Sequence, residues 1–320
     1  MCKFNTNNFL INVEVNKYLE SRIQNKLFAN GYIFYGAKGV GKKETALNFI
    51  KQIFKQYSFS RNSETSITNN NHPDFLIIKP SDNLESRKTK NSDSEITKKS
   101  GSKIIKISQI RSIKTFLGQK SVESEKKIVL IIDAHLLNEA SSNCLLKTLE
   151  EPSNGIFILL TSKLNLLLDT IISRCQLVKF RSFSVKKIDL FLKNYLNSST
   201  TIINKKLNFQ DLVNLANGSP GKLLKIIEIW NEFSNEITGK IDNPLKDSLE
   251  IIELSKLISE QLDIDQQIYL VNFIQLIWWK KTKNQNLIKN LENLKLHIKN
   301  KVQPRLAWEV SFFKISMEKL

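Results

Sequence analysis

The chain has 320 residues and a mass of 36.9 kDa, enough for about two or three domains and at least one full hydrophobic core. With 41% hydrophobic and 25% charged residues, ten Gly and six Pro, it is neither wholly disordered nor collagen-like; three widely spaced cysteines, Cys2, Cys144 and Cys175, exclude a disulfide-stapled miniprotein and suit a reducing compartment, the cytoplasm. The formal charge of +17 fits an anionic partner, but only seven of the 48 basic residues are Arg and the chain is rich in Lys, Asn and Ile throughout, so compositional bias explains the charge equally well.

No sorting signal is read in Met1 to Lys17, and no stretch reaches the ~18 uninterrupted apolar residues of a membrane span, so a soluble protein is expected. Val15, Leu19, Ile23 and Leu27 recur at helical spacing and predict an amphipathic helix from Val13 to Phe28, ended by Asn30-Gly31. Tyr32 to Tyr35 reads as a strand that runs into Gly36-Ala37-Lys38-Gly39-Val40-Gly41 and then into a helix carrying Ala46, Leu47, Phe49, Ile50 and Ile53. From Ser58 to Gly101 the composition turns to Ser, Asn, Thr and Lys, with Phe75 to Ile78 as one short strand-like run and Leu84 to Ser102 reading as a mobile insertion. Order returns with Ile104 to Ile107 and a helix from Ile110 to Leu117.

The run Ile128 to Ile132 ends in Asp133 and has the continuous apolar character of a strand buried on both faces. Asn138 is placed to cap a helix bearing Ala140, Cys144, Leu145 and Leu149, which Pro152 stops. Another buried strand, Ile156 to Leu160, ends at Thr161. Strands alternating with helices imply a doubly wound parallel-sheet α/β domain over residues 1–182. Beyond it every pattern is helical: a small unit over 183–240, turning at Gly218-Ser219-Pro220-Gly221, and a third block over 241–320 with long helices including Ile268 to Trp279 and Leu306 to Met317.

Gly36-x-x-x-x-Gly41-Lys42 matches a phosphate-binding loop. Glycines let backbone N–H groups face phosphates, the helix N-terminus adds positive potential, and the Lys reaches the outer phosphates. The candidate nucleotide-site residues are Gly36, Gly39, Gly41, Lys42, Lys43, Asp133 and Thr161. Two departures stand out. Position 43 is Lys where the motif needs a Ser or Thr hydroxyl for Mg²⁺, and Ala134 follows Asp133 where an ATPase of this design places a water-activating Glu. Losing a general base costs about 10²–10⁴ in rate. His135 could substitute as a base or simply face solvent.

The run Asn138 to Pro152, the strand to Thr161 and the following Ser173-Arg174-Cys175 resemble the clamp-loader branch of the AAA+ proteins. His72-Pro73-Asp74-Phe75 and Ile107-Ser108-Gln109-Ile110-Arg111 are similar, more narrowly, to its delta-prime family of bacterial DNA polymerase III subunits. The resemblance covers about Asn30 to Gly221. It implies a P-loop AAA+ domain, a small helical lid and a helical collar within a five-membered ring, with gamma/tau and delta subunits, the sliding clamp and primed DNA as partners. It also implies that Arg174, flanked by Ser173 and Cys175, is an arginine finger reaching into a neighbouring subunit's ATP site. The bland reading is that Arg174 caps or salt-bridges the end of a Leu164 to Ile172 helix. Relatives of this kind often hold zinc on four cysteines; none falls between Gln56 and Asn71, so no zinc is expected, and ATP or ADP is at most a vestigial ligand. Lys222 stands where active ATPases place a sensing Arg near the turn. A hydrolysing motor subunit and a stand-alone basic DNA-binding protein stay open as alternatives; the first predicts ATP turnover by the isolated chain, the second steeply salt-dependent DNA affinity.

Overall fold

A computed structural model describes residues 12–57, 72–82, 103–150, 155–198, 209–300 and 302–317. The expected insertion over Leu84 to Ser102 and the helix stop at Pro152 lie outside the described residues. Two compact units separate, 1–183 and 184–320.

The first unit opens with helix α1 (Val13–Gln24), strand β1 (Gly31–Gly36) and helix α2 (Lys42–Tyr57). Strands β2 (Phe75–Ile78), β3 (Ser81–Asp82) and β4 (Lys103–Ile104) precede helix α3 (Ile107–Gly118). Strand β5 (Lys127–Ile131), helix α4 (Glu139–Glu150), strand β6 (Gly155–Thr161), the short helix α5 (Asp169–Arg174) and strand β7 (Gln176–Phe180) complete it. Five strands form one parallel sheet in the order β2-β5-β6-β1-β7, while β3 and β4 pair antiparallel as a separate ribbon.

The central strands are buried on both faces because alternate residues feed two different cores. Tyr32, Phe34, Ile128, Leu130, Ile156 and Ile158 pack with Phe49, Ile50 and Phe54 of α2 and with Val15 and Leu19 of α1. Ile33, Val129, Ile131, Phe157 and Leu159 pack with Ile110 and Ile113 of α3, Leu145 of α4 and Ile171 of α5. This is why β5 and β6 read as unbroken apolar runs instead of alternating ones. Two boundaries differ from the sequence reading. Helix α1 ends at Gln24, where Lys26 takes a left-handed conformation (φ 54°). The expected Leu164 to Ile172 helix divides into a single 3-10 turn, Leu164–Leu166, and α5, so Arg174 is the last helical residue.

The second unit is all helical: α6 (Val185–Ser198), α7 (Phe209–Ala216), α8 (Pro220–Glu232), α9 (Asn235–Lys240), α10 (Ser248–Gln261), α11 (Ile264–Thr282), α12 (Gln285–Lys299) and α13 (Pro304–Met317). The Gly218-Ser219-Pro220 turn starts α8: Asn217 and Gly218 are left-handed, Ser219 Oγ accepts the N–H of Lys222, and Pro220 occupies the first helical position, where its missing N–H costs nothing. Two of the buried tryptophans are polar-satisfied as well as packed. Trp278 Nε1 donates to the Ile241 carbonyl at 2.7 Å and Trp308 Nε1 to Gln267 Oε1 at 3.0 Å. No helix among the described residues is long and apolar enough to cross a membrane.

Candidate functional site

The parallel sheet has two edges with different chemistry. At the carboxyl ends of the strands, where open parallel sheets bind ligands, β1 delivers the glycine loop, β5 delivers Asp133 and His135, and β6 delivers Thr161. Gly39 (φ 81°) and Gly41 (φ 89°) adopt positive φ, the conformations from which such loops build anion-binding concavities. Gly36 is needed for a different reason: a Cβ there would sit 2.2 Å from the Phe180 carbonyl oxygen of β7. The Lys42 ammonium donates to the Gly36 and Ala37 carbonyls at 2.7 and 2.6 Å, folding back over its own loop. Burial pushes its pKa down, opposed by Asp133 and Glu44.

His135 is half-buried, its Nδ1 3.3 Å from Thr161 Oγ1, so it is not the solvent-facing side chain considered above. Burial lowers its pKa; Asp133 opposes this, while Lys163, Lys42 and Lys38 lower it further. Thr161 is fully buried and also accepts the Lys163 N–H at 3.1 Å. Lysines at 38, 42 and 163 thus gather around a neutral imidazole. Lys38 and Lys163 were not singled out by sequence, since a Lys inside a glycine loop and a Lys two residues past a strand carry no local pattern.

These residues fit a phosphate group but not a metal ion. Lys43 is exposed and offers an ammonium where a hydroxyl ligand is required. Asp133 does not tip the strand as the sequence suggested. Strand β5 ends at Ile131, apolar Ile132 follows, and Asp133 lies in a left-handed turn (φ 52°, ψ 49°) leading into the 3-10 turn Ala134–Leu136. Among the described residues, no group of three or more His, Cys, Asp or Glu could hold a metal.

The opposite edge, at the amino ends of the strands, carries Ser173-Arg174-Cys175. Arg174 Nη1 donates to the Thr170 carbonyl at 3.0 Å and Nη2 lies 2.6 Å from Glu150 Oε1, at the last residue of α4. Ser173 Oγ donates to the same Thr170 carbonyl. Cys175 is buried, and burial pushes its thiol up to about 11, so it is an inert packing group instead of a nucleophile. Its Sγ fills the space above Gly31, where a Cβ would approach to 2.6 Å. The pairing of β1 with β7 runs from Tyr32↔Gln176 to Gly36↔Phe180, about 13 Å at ~3.3 Å per residue, so Arg174 and the glycine loop occupy opposite ends of the same two strands.

The other motifs prove to be scaffold. The buried Asp74 carboxylate accepts the backbone N–H groups of Val122, Glu123 and Ser124, at 2.7 Å for Glu123. His72 stacks on Phe54 and its Nδ1 accepts the Asp74 N–H. Gln109 accepts from the Lys106 N–H and donates to the Lys79 carbonyl, tying the start of α3 to the residue after β2. In the second unit, burial and then Lys295 lower the pKa of Lys222.

The family described as DNA polymerase III, delta subunit, matches residues 11–184, more than half of the chain, and the C-terminal domain of cyanobacterial DNA polymerase III delta prime matches residues 193–315. The chain belongs to the delta-prime family of clamp-loader-type DNA polymerase III subunits. Its relatives include the delta-prime subunit of Bacillus subtilis, 31% identical over 55% of this chain and 49% of that protein. The gamma/tau subunit of Mycoplasma genitalium is 30% identical over 69% of this chain and 34% of its own length. The chain spans about half the length, or less, of these curated relatives. A DNA polymerase III gamma subunit-related protein from Thermotoga maritima shares the fold, with a TM-score of 0.52 and 17% identity over 93% of this chain and 98% of that one. The chain's parallel-sheet core and helical C-terminal region are thus similar in fold to that clamp-loader-related protein.

Proposed function

We propose that the chain is a non-hydrolysing clamp-loader subunit that lends Arg174 to the ATP site of a neighbouring subunit. The observation supporting this reading best is the separation of the two chemistries. The chain's own phosphate loop lies at one edge of the sheet without a hydroxyl for Mg²⁺ or a carboxylate beside Asp133 to activate water. Its guanidinium lies at the other edge, remote from that loop, and can serve only a nucleotide held by another molecule. An Arg suits the task because it stays charged and presents a rigid fork of donors to phosphoryl oxygens. Arginine fingers supplied in trans are worth about 10³–10⁵ in rate at the one site they serve, so a subunit can control hydrolysis that it does not perform, while other ATP sites of a multi-motor complex keep part of the total turnover.

In this reading the partners are gamma/tau-type motor subunits and a delta subunit, with the sliding clamp and primed DNA met through the assembled complex in the cytoplasm. ATP or ADP in the chain's own loop would be held by the backbone of residues 36–41 and by Lys42, after that amine leaves the Gly36 and Ala37 carbonyls, and would not be turned over. The test is reconstitution with the motor and delta subunits. Arg174→Ala is expected to depress ATP turnover severalfold while gel filtration shows an intact complex, and the isolated chain is expected to release no phosphate above background. Unchanged turnover with Arg174→Ala overturns the trans role; motor-like turnover by the chain alone overturns the non-hydrolysing one.

A further inference from the structure

The Glu150 carboxylate stands at a place where helix electrostatics disfavour it. It is the last residue of α4, where the macrodipole is negative and a cation is preferred. What offsets this is Arg174, reached across 24 residues of sequence at 2.6 Å. The guanidinium is held at two points, by Glu150 at Nη2 and by the Thr170 carbonyl at Nη1, which leaves three of its five N–H bonds without a partner among the described residues. Both side chains stay open to solvent, Arg174 at 40% and Glu150 at 53%, so the group is oriented without being sealed off.

We infer that Glu150 is a positioning residue for Arg174, holding the guanidinium at the sheet edge with its unbonded donors presented outward. The inference rests on the trans role proposed above. Its physical basis is that a long side chain must be held to within about 0.5 Å of its productive geometry by a supporting shell, and that a charge-assisted, short hydrogen bond is the strongest means of fixing a guanidinium. Cys175, packed against Gly31, fixes the backbone beneath it; among the described residues, only Glu150 restrains the far end of the side chain through another side chain. The carboxylate does not touch the reacting atoms in this scheme and acts solely through Arg174.

Two measurements on the full chain decide it. First, phenylglyoxal modification of Arg174 in the chain alone, mapped by peptide mass spectrometry, is expected to run about two- to five-fold faster in Glu150→Gln, the range set by exposed ion pairs; Arg305, which bonds Glu309, serves as the internal control. Second, in the reconstituted loader, Glu150→Gln is expected to lower the kcat for ATP severalfold at unchanged KM and assembly. Glu150→Asp should recover part of that loss, and Glu150→Gln should have no further effect in an Arg174→Ala background. Wild-type labelling rates in Glu150→Gln, or turnover that is unchanged or raised while Arg174→Ala still depresses it, overturn the positioning role alone. If Arg174→Ala leaves turnover intact, the trans role falls and this inference falls with it.

Discussion

Among single residues, Gly31 and Cys175 show how a two-atom fit can set the position of a functional group. Gly31 begins β1, and its missing side chain is what leaves room for the Cys175 thiol, the residue directly after Arg174. A Cβ at 2.6 Å from Sγ lies inside any tolerable contact, and Cys175 Cβ at 3.6 Å and Leu149 Cδ2 at 3.7 Å crowd the same space. Gly31→Ala is therefore expected to destabilise the first unit by about 1–3 kcal/mol, the usual cost of overpacking. Cys175→Ala in the same chain removes the obstructing sulfur and should recover most of the loss, leaving the double variant more stable than Gly31→Ala alone. Urea denaturation of the two single variants and the double variant checks this; additive losses would show that the two positions do not share the space. The high thiol pKa adds that Cys175 should resist alkylation at neutral pH until the unit unfolds.

At the level of elements, the link that matters is the one from Asp74, just before β2, to residues 122–124, just before β5. One buried carboxylate satisfies three backbone donors of the α3–β5 connection. Asp74→Ala would strand those N–H groups and is expected to cost about 3 kcal/mol, read from the urea midpoint. Beside it, His72 brings a pH dependence. Burial pushes its pKa down, with Glu123 and Asp74 opposing, so below about 6.5 the unfolded chain takes up a proton that the folded chain refuses. Stability from this group is complete above the unfolded pKa and is lost as pH falls through it toward the folded value. His72→Phe, which keeps a ring on Phe54, should flatten the loss of stability between pH 7 and 5.5; an unchanged slope would assign it elsewhere. Such contacts mark the limit of what a sequence shows. Strands β1, β5 and β6 and helix α2 were legible because their apolar period is local, and the glycine loop because its spacing is local too. The Asp74 contacts span 48 to 50 residues and the Arg174–Glu150 pair spans 24, so neither leaves a periodic trace. Asp133 was misplaced at the strand tip because an apolar run tells how many residues are buried, not where the last ladder hydrogen bond falls.

In the whole molecule, the two compact units each enclose their own core, and the tryptophans are divided unevenly between them. All four, at positions 230, 278, 279 and 308, belong to the second unit. Trp230, Trp278 and Trp308 are fully buried there, Trp230 against Phe233 and Phe273 and the other two against Phe312. Tryptophan emission therefore reports the helical unit alone, whereas hydrogen exchange of the β5 and β6 amides reports the sheet. Chains with more than one core commonly depart from two-state unfolding. The sheet-side substitutions supply the discriminating perturbation. Asp74→Ala should move the urea midpoint for β5 and β6 exchange to lower concentration while the tryptophan emission midpoint stays where it is in the unmodified chain. Equal displacement of both midpoints would mean that the units unfold as one, and destabilising the sheet would then also loosen the helical unit. Separate midpoints would mean that Arg174 can be displaced by changes within the first unit without disturbing the second. That outcome is the condition under which loss of turnover and loss of assembly can be told apart in any of the variants above.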